Sequence, residues 1–128
     1  MRRAFRTRTF LRWMRQAGLS DETLCRAVEE MANGLIDAHL GGNLVKKRVA
    51  LPGRGKSGGT RTIVATHLGD RWFFLLGFVK NQRSNIDVHE LEALQELAKL
   101  YLELDEQQLA HALNRGIFTE ICHGNHEA

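Results

Sequence analysis

Residues 61–80 read RTIVATHLGDRWFFLLGFVK, and the fold turns on them. The β-branched run Arg61 to His67 and the apolar run Trp72 to Lys80 have strand composition, and Gly69-Asp70 between them is a two-residue hairpin connection. The second run is apolar on both faces, which predicts a central strand. Placing Leu68 opposite Arg71 makes Arg61 oppose Phe78, and directly opposed side chains leave a sheet on one face. Lys80 shares that face with Phe78 by alternation, so Arg61 and Lys80 are expected diagonally adjacent, roughly 7 to 8 Å apart.

Before this hairpin, LVKKRVAL (residues 44–51) predicts a further strand, with Val45, Val49 and Leu51 on one face and Lys46 and Arg48 on the other. Lys47 falls on the apolar side of that count and fits least well. PGRGKSGG (residues 52–59) holds five Gly or Pro in eight and predicts an irregular cationic loop. Gly58 and Gly59 bring Lys56 to the end of the sheet where Arg61 and Lys80 meet. Three cations gathered without a carboxylate close in sequence destabilise one another, so the arrangement expects an anionic ligand.

Two short helices are expected ahead of any strand. In the first, Arg8, Arg12 and Arg15 form a solvated stripe opposite Phe10, Trp13 and Met14; the second covers residues 20–33 and ends at Gly34. After the hairpin, Asn85-Ile86-Asp87 supplies a helix start, and Val88, Leu91, Leu94, Ala98 and Tyr101 follow at helical spacing. That helix has an acidic exposed side. A shorter helix beginning near Asp105 stops at Gly116, and IFTEI (residues 117–121) predicts a last edge strand.

The composition bounds the rest. One domain over residues 1–128 is expected, since 128 residues at 43% hydrophobic bury a single core. The longest apolar run, Trp72 to Val79, is eight residues, far short of the roughly 20 a membrane-spanning helix needs. Two cysteines, Cys25 and Cys122, make no disulfide framework, and no apolar leader precedes a cleavage site, so the expected compartment is a reducing cytoplasm. Cys25 reads as a small core residue. Cys122, His123 and His126 lack a fourth ligand and a rigid frame, so no metal or other cofactor is expected.

The net charge of +3 conceals a division. Residues 1–61 carry 13 Lys and Arg against 5 Asp and Glu, and residues 62–128 carry 5 against 10. A basic half of this kind commonly meets a polyanion. ALPGRGKS (residues 50–57) imitates a nucleotide-binding loop, but that loop must open into a helix, whereas glycines and a β-branched run follow here. His67 lies six residues along its strand from Arg61, about 20 Å away, too far to share a scissile bond.

LGGNLVKKRVALPGRGKSGGTRTIV, FFLLGFVKNQRSNI and HELEALQELAK together resemble the RelE/HigB addiction-module toxins, particularly a subfamily with a GKSGG-x-R loop followed one strand later by Lys-Asn. The resemblance runs over nearly the whole chain. It implies a small α+β domain, a twisted antiparallel sheet with helices packed on one side and a C-terminal helical segment. It further implies a type II toxin that cleaves messenger RNA on the translating ribosome without a metal, and a partner antitoxin, of helix-turn-helix type, that blocks the site. Arg61 and Lys80 are carried over by position, with Lys56 as third catalytic candidate. Lys46, Lys47, Arg48, Arg54, Asn81 and Arg83 are the expected RNA-binding positions, Asn81 and Arg83 standing where many members place an arginine after the lysine. The only tyrosine, Tyr101, falls on a core face, which leaves the proton donor unassigned. Two other readings keep the fold: a non-catalytic basic RNA-binding or translation-regulating module, and an interaction protein docking through the acidic helix from Asp87 to Glu106.

Overall fold

The computed structural model describes residues 2–51, 59–79 and 86–122. In chain order the elements are β1 (Arg3–Thr7), α1 (Arg8–Ala17), α2 (Asp21–Ala32), β2 (Ala38–Gly41), β3 (Leu44–Val49), β4 (Thr60–Thr66), β5 (Arg71–Val79), α3 (Val88–Leu102), α4 (Glu106–Asn114) and β6 (Phe118–Ile121). The strands form one sheet in the order β2-β3-β4-β5-β1-β6. Every neighbouring pair is antiparallel except β1 with β5.

The α+β class and the central position of β5 agree with the sequence. Phe73 and Phe74, both fully buried, enter cores on opposite faces of β5. One core joins Phe74, Trp72, Val45, Val49 and Val64 to α1 and α2; the other joins Phe73, Phe5, Ile63 and Ala65 to α3 and α4. The expectation of helices on one side is therefore corrected: a strand apolar on both faces requires cover on both.

Local chemistry sets the helix starts. The hydroxyl of Thr7 accepts a hydrogen bond from the Phe10 amide, and that of Ser20 from Thr23. Asp87 with Glu90, and Asp105 with Gln108, form reciprocal capping boxes at α3 and α4. α1 closes at Gly18, whose φ of 78° is left-handed.

Two strands escaped the sequence reading. β1 lies ahead of both helices, where no strand was expected, and β2 lies between α2 and the turn at Gly41-Gly42. RAFRT shows no alternation of polar and apolar side chains over its five residues, and its adjacent apolar pair, Ala4 and Phe5, is buried on pairing parallel to β5, a partner far away in sequence.

The hairpin differs in its turn but not in its outcome. Thr66 pairs with Trp72, so the connection is four residues, 67–70, rather than Gly69-Asp70 alone. A β-bulge then intervenes: Val64 pairs with Phe74 but Ile63 pairs with Leu76, leaving Leu75 as the extra residue. The one-residue offset from the turn is thereby cancelled, and Arg61 opposes Phe78 as expected. Gly77 consequently lies on the α1 side, against the Trp13 ring.

A Cβ added at Gly77 would come within 2.6 Å of three ring atoms of Trp13. Gly77→Ala is expected to lower stability by about 1–3 kcal/mol in urea denaturation, as overpacking does. In a Trp13→Ala background the same substitution should cost little, and a double-mutant cycle measures the difference.

Candidate functional site

The cationic site predicted from sequence lies where β3 ends, β4 begins and β5 ends. Arg48, Arg61 and Phe78 are cross-strand partners in a single row, on the face covered by α3 and α4. Lys46 stands two residues before Arg48 on the same face, opposite Ile63. The strand geometry places two guanidinium-bearing residues side by side, although like charges opposite one another oppose sheet formation.

Their surroundings separate them. Arg48 is held by Asp37: its Nε lies 3.1 Å from Oδ1, and its backbone amide donates to Oδ2 at 2.5 Å. Its side chain remains 46% exposed. Arg61 is only 7% exposed, yet among the described residues its guanidinium makes a single long contact, 3.5 Å to the Thr60 carbonyl, and no ion pair. A guanidinium removed from water and given no carboxylate is unfavourable unless an anion arrives. The hydroxyls of Thr60 and Thr62, on the opposite face of β4, donate to the carbonyls of Val49 and Lys47.

Lys47, expected among the RNA-binding cations, is corrected. Its side chain enters the α2 side, where Nζ lies 2.8 Å from the Glu30 carboxylate and donates to the Leu35 carbonyl at 2.9 Å. With 3% of its surface exposed it presents no charge to solvent. The misfit already visible in the alternation was the signal of this inward pair. Lys56, Lys80, Arg54, Asn81 and Arg83 lie outside the described residues, so the structure brings together Arg61, Arg48 and Lys46 alone.

Much of the basic half is spent inside the fold. Arg3 binds Glu120 and Glu106, Arg6 contacts Asp21, and Arg8 donates to the carbonyls of Gly116 and Arg115 behind α4. Hydrogen bonding to Glu120 raises the pKa of Arg3 further. The stripe on α1 is thus solvated at Arg12 and Arg15 but anchored at Arg8.

Other candidates fall away from the row. Tyr101 packs between Phe73 and Phe118, at centroid distances of 5.4 and 5.2 Å, which fits its core assignment. Burial raises its pKa. His67, beyond the far end of β4, lines a cleft of about 230 Å³ with Asp70, Arg71 and Leu102. The chain after residues 52–58 enters a strand rather than a helix, so the apparent nucleotide loop has no helix N-terminus behind it. Cys122 is bonded to Cys25, which corrects the reading of two unlinked cysteines and withdraws that thiolate from a zinc site. No helix among the described residues is long and apolar enough to cross a membrane.

Comparison with known families gives one assignment: the model described as the RelE toxin of the RelE/RelB toxin-antitoxin system matches residues 2–121. A search of curated proteins finds no match.

Two expectations follow for the side chains located here. Lys47→Ala should destabilise the protein by about 3 kcal/mol in urea denaturation, because the buried pair with Glu30 and the hydrogen bond to the Leu35 carbonyl are both lost, whereas Arg61→Met should be neutral or stabilising. The fold favours neutral Tyr101, so its stabilising contribution is complete below pH 10.0, the ordinary tyrosine value, and is lost as pH rises through the raised one. Tyr101→Phe should therefore flatten the fall in melting temperature above pH 10.0.

Proposed function

The chain belongs to the RelE toxin family, the toxin partner in toxin-antitoxin systems, and from that membership we propose that it acts by cleaving messenger RNA around Arg61. The single observation that carries this reading is the buried guanidinium of Arg61, which has no carboxylate among the described residues. Such a group fits an arriving phosphate, and its planar fork matches two phosphate oxygens.

In the proposed reaction an amine takes the proton of a ribose 2′-hydroxyl. The 2′-oxygen attacks the adjacent phosphorus, and the bond to the 5′-oxygen breaks, leaving a 2′,3′-cyclic phosphate and a 5′-hydroxyl once the leaving oxygen is protonated. Arg61 stabilises the charge gathering on the phosphoryl oxygens. Lys56 or Lys80 serves as the base, since crowding by other cations favours the neutral amine. A neutral amine and a guanidinium supply these roles without a metal ion. The general acid is not assigned to a residue.

Lys46 and Arg48 extend the surface along the strand toward the RNA backbone, with Arg54, Asn81 and Arg83 as further contacts. In this reading the chain is a RelE/HigB-type toxin of the subfamily with a GKSGG-x-R loop, acting on the ribosome in the cytoplasm. The antitoxin that family membership implies is taken to be of helix-turn-helix type and to cover the Arg61 row.

Primer extension on messenger RNA from cells producing the protein tests the proposal. Arg61→Ala is expected to reduce cleavage by about 10²- to 10³-fold and to restore growth. Full cleavage by Arg61→Ala would overturn the assignment. Intact RNA with the unmodified protein, accompanied by salt-dependent binding, would instead support the non-catalytic RNA-binding module.

A further inference from the structure

The pairing of Cys25 with Cys122 lies outside the proposed reaction and has its own chemistry. The two residues are 97 positions apart in sequence, and their Cα atoms are 5.4 Å apart, within the span of a disulfide. Cys25 is on the inner side of α2 and 8% exposed. Cys122 is more accessible, immediately follows β6, and has a left-handed backbone with φ of 69°. The bond thus reaches from a helix covering one face of the sheet to the end of an edge strand.

That strand has few other attachments. β6 is four residues long and has one neighbour in the sheet, β1. Ile121 packs into the α1–α2 core, Phe118 enters the core on the other face, and Glu120 pairs with Arg3. The sheet interior from β3 to β5 contributes nothing to the clasp and receives its order from long ladders. The clasp closes a loop that contains β2 to β5, α3 and α4, so it constrains the unfolded chain as well as β6.

We propose that Cys25–Cys122 is a reversible thiol-disulfide exchange site for low-molecular-weight thiols, and that its redox state sets the local stability of β6. A thiolate attacks Sγ of Cys122, the more accessible sulfur; the protein disulfide breaks, and Sγ of Cys25 departs as a thiolate and takes up a proton. A second thiol molecule then attacks the mixed disulfide, releasing Cys122 as a thiol and a small-molecule disulfide. Two electrons and two protons pass to the protein, and the small-molecule disulfide reverses the sequence. The site stands whether or not the protein cleaves RNA.

The test uses the full chain equilibrated in glutathione disulfide or in dithiothreitol. Alkylation with mass detection should find no reactive thiol in the oxidised sample and both cysteines in the reduced one. Reduction should lower the melting temperature by several degrees and speed amide exchange across residues 118–121 by at least about tenfold more than across residues 61–66, whose exchange follows the global stability alone. The Cys25→Ser, Cys122→Ser double variant should behave alike in both buffers. Free thiols in the oxidised sample, resistance of the folded protein to dithiothreitol, or equal acceleration at 61–66 and 118–121 would each overturn the proposal.

Discussion

Burial of β5 on both faces is the constraint from which the architecture follows. Phe73 and Phe74 alternate through the sheet, and each fully buried phenyl ring contributes about 1.5–3 kcal/mol only if something covers it. Two helices from the first part of the chain cover one side and two from the last part cover the other. The interior strand that carries Arg61 is consequently packed between two layers of helices, and its guanidinium is largely withdrawn from water.

The sequence disclosed most where periodicity was strong and least where pairing was remote. The apolar run of β5, the amphipathic α2 and the starts of α3 and α4 were legible because each pattern is local. β1 was not, since five residues with two arginines acquire strand character from a neighbour more than sixty positions away. The alignment of Arg61 with Phe78 emerged from a turn that was placed wrongly, because Leu75 bulges and restores the offset. At the site, alternation already marked Lys47 as facing inward, but only geometry could supply Glu30 as its partner. The link between Cys25 and Cys122 was equally hidden, since nothing in their spacing brings them together.

Charge counting was informative in direction and misleading in amount. Arg3, Arg6 and Arg8 are used to fasten strands and a helix end, so the positive excess of the first half overstates what a polyanion meets. Arg61 differs from these in having no internal carboxylate among the described residues, despite being more buried than Arg48, which has one. The distinction between a fastening arginine and a receptive one lies in its neighbours, and neighbours are what composition omits.

The position of β1 bears on how the molecule comes into being. Among the described strands it is synthesised first, yet its two partners, β5 and β6, follow the other strands in chain order. The β1 residues must therefore wait, unpaired, until β5 has been synthesised, and the sheet is complete only when β6 docks along the outer side of β1. A fragment that ends before β6 holds an incomplete sheet, so vectorial synthesis itself makes completion of the fold a late event.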